Sequence, residues 1–173
     1  MGKAVLNRQE ERSTVLVVDD EEPLRRVVRR VLESEGCTVL EAGDGEAALR
    51  LVQELKTPPD LVLTDLRMPR VSGRELAEIL SVFRPGLPVI AMTGFAGSAH
   101  PDRRLPLLVK PVSKPALVEV VRNARIRRAM QAASSPVEQR SRARRLREAA
   151  GDKGHEVDLV SAVQLLRNLP DEA

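Results

Sequence analysis

The chain has 173 residues, with 28 Lys and Arg against 25 Asp and Glu and a formal net charge of +3. A single cysteine excludes a disulfide framework, and with two Phe and no Trp or Tyr the core must be aliphatic. No apolar run has the length of a membrane span, the charged N-terminus lacks the apolar core of a signal peptide, and Leu6 stands where a myristoylation pattern needs Ser or Thr, so a soluble, cytoplasmic chain with no membrane partner is expected.

In chain order, residues 1–12 are expected to be a flexible N-terminal segment. Short aliphatic runs follow at 15–18, 39–40, 61–63, 89–92 and 105–109, each bounded by Gly, Pro or charge. Such runs, without polar alternation, predict strands of a parallel sheet buried on both faces. Between them, apolar residues recur at helical spacing: Leu24, Val27, Val28 and Val31; Ala48, Leu51, Val52 and Leu55; Leu76, Ile79, Leu80 and Phe83. Helix starts are marked by Asp20 before Pro23, by Gly45, by Ser72-Gly73 and by Ser113 ahead of Pro115. Strand and helix alternate, which predicts right-handed βα units and a doubly wound α/β domain over about 13–124.

In an open sheet of this kind the functional crevice lies beyond the carboxyl ends of the strands. Asp19, Asp20, Asp65, Thr93 and Lys110 all fall at or just past such ends. Three carboxylates in one place repel one another unless a cation joins them. Mg²⁺ suits that set, because it is satisfied by carboxylate, carbonyl and water oxygen. Asp65, after the central strand, is the natural nucleophile for an acyl phosphate, while Lys110 and the Thr93 hydroxyl would hold phosphoryl oxygens. Taken singly, each has a plainer explanation: an Asp pair at a helix N-terminus is favoured by the dipole, and Lys-Pro at a strand end is common.

As an ordered set, Val17-Val18-Asp19-Asp20, Thr64-Asp65-Leu66-Arg67-Met68-Pro69 with Gly73, Met92-Thr93-Gly94 and Val109-Lys110-Pro111 resemble the receiver domain of two-component response regulators, the CheY-like family. The resemblance covers about two thirds of the chain. It implies a flavodoxin-like five-stranded parallel sheet of order 2-1-3-4-5, and a signalling switch, not an enzyme. It further implies that Asp65 is the phosphoacceptor, that Mg²⁺ is bound by Asp19, Asp20, Asp65 and the backbone carbonyl of Arg67, and that Thr93 and Lys110 contact the phosphoryl group. The phosphodonor would be a histidine kinase or a histidine phosphotransfer protein. Lys110-Pro111 is a candidate cis peptide, Gly94 would leave the phosphate approach open, and the side chains of Arg67 and Phe95 would flank the site. Two features depart from the family. Leu107 stands where an aromatic residue usually couples to the threonine, and the stretch from Gly97 to Asp102 is poor helix material, so the fourth helix of the family should be stunted or absent.

A basic helical extension is expected over 125–173. From 122 to 147 the chain carries nine arginines against Glu138 alone, whereas 148–173 holds six acids and two bases. A long helix at 114–130, a charged helix at 137–150 and a third at 157–169 are expected, the last with Leu159, Val160, Val163 and Leu166 on one stripe. So small a helix pair lacks a core of its own and should pack on the receiver, on a second copy or on a partner. The arginines admit a second function, a transcriptional regulator that contacts DNA phosphates, although no recognition helix can be assigned. Cys37 reads as a small buried residue, and His100 and His155 show no metal-ligand spacing.

Overall fold

The computed structural model describes residues 12–94 and 105–133. Five parallel strands, β1 (Thr14–Val18), β2 (Thr38–Ala42), β3 (Leu61–Asp65), β4 (Val89–Thr93) and β5 (Leu107–Val109), pair in the order β2-β1-β3-β4-β5. Four helices alternate with them: α1 (Glu22–Ser34), α2 (Gly45–Glu54), α3 (Gly73–Phe83) and α4 (Lys114–Ala133). The sheet order and the doubly wound class agree with the expectation.

Alternate residues of β1 explain the two layers. Leu16 and Val18 face α2 and α3, where they meet Ala48, Val52, Leu76 and Leu80. Val15 and Val17 face the other way and pack with Val28 and Leu32 of α1 and with Leu117 and Val121 of α4. Both sets are essentially sealed from solvent. Every fully buried aliphatic side chain contributes about 1.5–3 kcal/mol, so this two-sided core is the main support of the fold.

Helix starts follow short polar side chains. Ser72 and Glu75 form a reciprocal capping box at α3. At α2 the cap is Asp44, whose carboxylate accepts the Ala47 N–H at 2.8 Å. The first helix corrects the expectation: its N-cap is Glu21, without a side-chain bond, and it is Asp19, not Asp20, that accepts the Glu21 N–H, at 2.9 Å. Strand β2 is longer than expected, and β5 is shorter because Pro106 has no N–H for the ladder; its carbonyl still accepts from Ala91 at 2.9 Å. Helix α4 continues three residues past Met130. Arg125 ties it back, donating to Ser13 Oγ at 2.9 Å and to the Glu35 carbonyl at 3.4 Å. The flexible segment expected at 1–12, all but its last residue, lies outside the described residues. So do the expected stunted helix, Phe95, His100, and the expected helices at 137–150 and 157–169.

Candidate functional site

Parallel pairing sets the positions of the site. Val18 pairs with Thr64, Asp65 with Met92, and Thr93 with Val109, so the strands end at nearly one level. Asp19 and Lys110, each the first residue past its strand, therefore arrive beside Asp65 and Thr93, although Asp19 and Lys110 are 91 residues apart in sequence. Asp19, Asp65 and Thr93 are buried, at 0%, 8% and 6% exposure.

Buried carboxylates need partners, and the Lys110 ammonium supplies one to both. Its Nζ lies 2.8 Å from Asp19 Oδ2 and 2.5 Å from Asp65 Oδ1. Burial by itself would push the Lys110 pKa down, but the hydrogen bonds and charges of Asp19 and Asp65 outweigh it and hold the ammonium above its ordinary value. A cis Lys110–Pro111 peptide follows, and the Lys110 N–H donates to the Thr93 carbonyl at 2.7 Å. The remaining Asp65 oxygen, Oδ2, accepts the Arg67 N–H at 2.8 Å. Both carboxylate oxygens are thus oriented.

The backbone around Asp65 is confined. A Cβ built on Gly73 would lie 2.1 Å from the Asp65 carbonyl oxygen and 3.1 Å from Thr64 Cγ2. The turn between Asp65 and Gly73 also holds Arg70 at φ 69°, a left-handed conformation that side chains other than Gly rarely adopt. Arg70 is held there by an ion pair with Asp44 and reaches Glu46 at 3.7 Å. Gly94 differs: among the described residues a Cβ there meets nothing within 4 Å.

Asp20 is brought to the rim but not into the cluster; it is exposed. Arg67 is likewise exposed, two residues past Asp65. Among the described residues no three acidic, His or Cys side chains stand together as a ready cage for a metal. The donor set is nonetheless that of a hard cation: carboxylates of Asp19, Asp20 and Asp65 outnumber the one ammonium, and a carbonyl adjoins them. Mg²⁺ keeps several of its waters and takes few protein ligands, so these residues fit it.

Arg25 is a member that sequence reasoning missed. One guanidinium nitrogen donates to the Asp19 carbonyl at 2.5 Å, and Nε lies 3.8 Å from Glu41 Oε1. Glu41 also pairs with Arg29 at 2.8 Å. These contacts brace the turn that carries Asp19 and Asp20. Its only sequence signal was an arginine at the inner edge of an otherwise exposed basic cluster on α1. In the basic stretch, Arg125 is committed to Ser13 and Glu35 and is a structural tether. Leu107, at the place expected for an aromatic residue, is 37% exposed on the edge strand.

Known proteins share this family and fold. A model of the response regulator receiver domain matches residues 15–122. The chain belongs to that family, the receiver domains of two-component response regulators. It is 36% identical over 102 residues to the response regulator receiver protein CpdR of Brucella abortus, covering 58% of this chain and 83% of that protein. It is 40% identical over 90 residues to the probable transcriptional regulatory protein TcrX of Mycobacterium tuberculosis, covering 52% and 37%. The sensor kinase CckA of Brucella abortus matches at 35% over 115 residues, 64% of this chain and 12% of the kinase. The chain thus spans a small part of the kinase and well under half of the transcriptional regulator. Among solved structures, the receiver domain of the hybrid histidine kinase CckA is 31% identical with a TM-score of 0.56, over 65% of this chain and 98% of that one. A response regulator receiver domain from Clostridium thermocellum is 28% identical with a TM-score of 0.62, over 69% and 98%. Among the described residues no helix is long and apolar enough to cross a membrane.

Proposed function

We propose that this receiver takes a phosphoryl group on Asp65 from a phosphohistidine of a histidine kinase or phosphotransfer protein, and passes the signal on by protein contact. The observation that carries the reading is the Lys110 ammonium held between Asp19 and Asp65, at 2.8 and 2.5 Å, in a buried crevice at the strand ends. In the proposed step an Asp65 carboxylate oxygen attacks phosphorus, an O–P bond forms, the P–N bond to the donor histidine breaks, and the imidazole leaves with a proton. Asp19, Asp20, Asp65 and the Arg67 carbonyl would hold Mg²⁺, which when bound neutralises charge on the phosphoryl group. Arg67 N–H fixes one Asp65 oxygen. Lys110 then shifts its pairing from the Asp65 carboxylate to a phosphoryl oxygen, and the Thr93 hydroxyl donates to another. Gly94, where a Cβ would meet no described residue within 4 Å, suits a clear approach.

The compartment we assign is the cytoplasm, which suits a chain whose cysteine, Cys37, is an unpaired buried thiol. The domain division at 13–124, with a basic extension over 125–173, is part of the proposal. Beryllofluoride with Mg²⁺, a mimic of the aspartyl phosphate, tests it. The melting temperature of the full chain should rise by several degrees with the mimic. The Asp65→Asn chain should show no rise; an equal rise in both would overturn the assignment. Light scattering on the same samples reports whether the output is self-association.

A further inference from the structure

Between β3 and α3 the chain makes a tight loop over residues 66–72, and the course of that loop decides where Arg67 meets Asp65. Both ends of it are pinned. The Leu66 N–H donates to the Met92 carbonyl at 2.9 Å and the Gly73 N–H to the Leu66 carbonyl at 3.2 Å, while Ser72 caps α3. Its middle is a strained turn. The Val71 N–H donates to the Pro69 carbonyl at 3.0 Å, closing a three-residue γ-turn about Arg70. The φ of 69° at Arg70 is that of the rare, strained form of this turn. A residue with a Cβ resists such a conformation, so it persists only where its surroundings over-determine it.

Those surroundings are the start of α2. Gly45 comes so close that a Cβ on it would lie 2.6 Å from the Val71 carbonyl oxygen, and Val71 is sealed in the core with Ala48 and Leu49. Arg70 itself pairs with Asp44 and reaches Glu46 at 3.7 Å. Asp44 is a fixed anchor, because Oδ2 takes the Arg70 guanidinium while Oδ1 accepts the Ala47 N–H of the α2 cap at 2.8 Å. An ion pair to an exposed arginine adds little to stability by itself. Between a fixed anchor and a strained backbone it selects a conformation.

We infer that Arg70 is a positioning residue for the phosphoryl site: its pairing with Asp44 holds the γ-turn against its strain and thereby holds Arg67, upstream in the same loop, where its N–H meets Asp65 Oδ2 at 2.8 Å. The inference deepens the proposed phosphoryl chemistry and, in its bearing on Mg²⁺, rests on that reading, since the Arg67 carbonyl would be a metal ligand. It makes the start of α2, which itself carries no reacting group, part of the support of the site.

The test uses two variants of the full chain with equal charge. Asp44→Asn/Arg70→Ala and Asp44→Asn/Arg70→Gly both lose the ion pair, and both keep a good N-cap, since Asn caps a helix as well as Asp. They differ in strain, because Gly adopts a positive φ freely and Ala does not. Hydrogen exchange read by NMR on the metal-free chains follows the Arg67 amide. It should exchange about tenfold faster than in the parent in the Ala variant, and within about threefold of the parent in the Gly variant, with the Leu16 and Leu63 amides unchanged. A parent-like rate in the Ala variant, equal rates in the two variants, or a rise matched at Leu16 and Leu63 overturns the inference. Calorimetric titration of the same chains with Mg²⁺ extends the test to the metal. The Ala variant should bind about tenfold more weakly and the Gly variant like the parent. Equal affinities in all three chains overturn the positioning role. A parent that binds no Mg²⁺ defeats the phosphoryl reading instead, and the Arg67 exchange still decides whether Asp44 and Arg70 anchor the loop.

Discussion

The two ends of this sheet are built from the same strands and have opposite chemistry. At the amino end of β3 and β4 stand Pro58, Pro59, Pro85 and Pro88 with aliphatic side chains and, among charged residues, Asp60 and Arg84. At the carboxyl end of those strands stand Asp65 and Thr93, buried, with Asp19 and Lys110 closing on them. Burying a charge costs several kcal/mol unless it is paired. The carboxyl end tolerates two buried carboxylates because one ammonium and two backbone N–H groups, those of Glu21 and Arg67, donate to Asp19 and Asp65. At the amino end the Asp60 carboxylate accepts the Thr14 N–H at 2.7 Å, amid prolines and aliphatic side chains. What sets the carboxyl end apart is a pair of buried carboxylates sharing one ammonium.

Removing the shared cation should give the largest effect on stability. Lys110→Met leaves Asp19 and Asp65 buried without it and is expected to cost about 3–5 kcal/mol in urea unfolding at pH 7. Because the Lys110 pKa is raised in the folded chain, its contribution is fully present below its unfolded value of about 10.4 and is lost only as pH climbs through the higher folded value. The difference between parent and Lys110→Met should thus hold from pH 7 to about 10 and shrink above that. A difference that vanished near pH 8 would contradict the ion pairs.

Backbone confinement gives the next effect. Gly73→Ala drives a Cβ into the Asp65 carbonyl and should destabilise by about 1–3 kcal/mol, whereas Gly94→Ala should change stability by less than about 0.5 kcal/mol. Equal effects at the two glycines would remove the contrast between a packed and an open side of the site.

Asp44 gives a smaller loss than Gly73. Asp44→Ala should cost about 1 kcal/mol at pH 7 through loss of the α2 cap. The backbone N–H of Ala47, and then Arg70, outweigh partial burial and hold the Asp44 carboxyl below its ordinary value. That contribution is present above about pH 4 and is lost as pH falls through the depressed folded value, so parent and variant should converge in acid.

These variants also mark what the sequence made legible. Strands β1, β3 and β4 could be read because burial on both faces demands unbroken aliphatic runs, and the α3 start could be read because Ser72 and Glu75 stand at capping-box spacing. Asp19, Asp65, Thr93 and Lys110 could be read because strand ends in a parallel sheet share one level. Asp44, Arg25 and Arg125 could not, since each acts through a partner that only the tertiary fold supplies: Ala47 and Arg70, the Asp19 carbonyl, Ser13. The close approach of Gly73 to Asp65 was hidden for the same reason. The exchange of Glu21 for Asp20 as N-cap shows how a buried carboxylate, here Asp19, takes over a local role that the neighbouring residue was expected to fill.

The central proposal is that Asp65 carries the phosphoryl group, and intact-mass analysis with peptide mapping tests it most directly. The full chain and Asp65→Asn are incubated with Mg²⁺ and a small acyl-phosphate donor. The expected result is one phosphoryl increment on the parent, mapped to the peptide containing Asp65, removed by hydroxylamine as an acyl phosphate should be, and absent from Asp65→Asn. An increment of equal size on Asp65→Asn, or one mapped to another residue, would contradict the proposal.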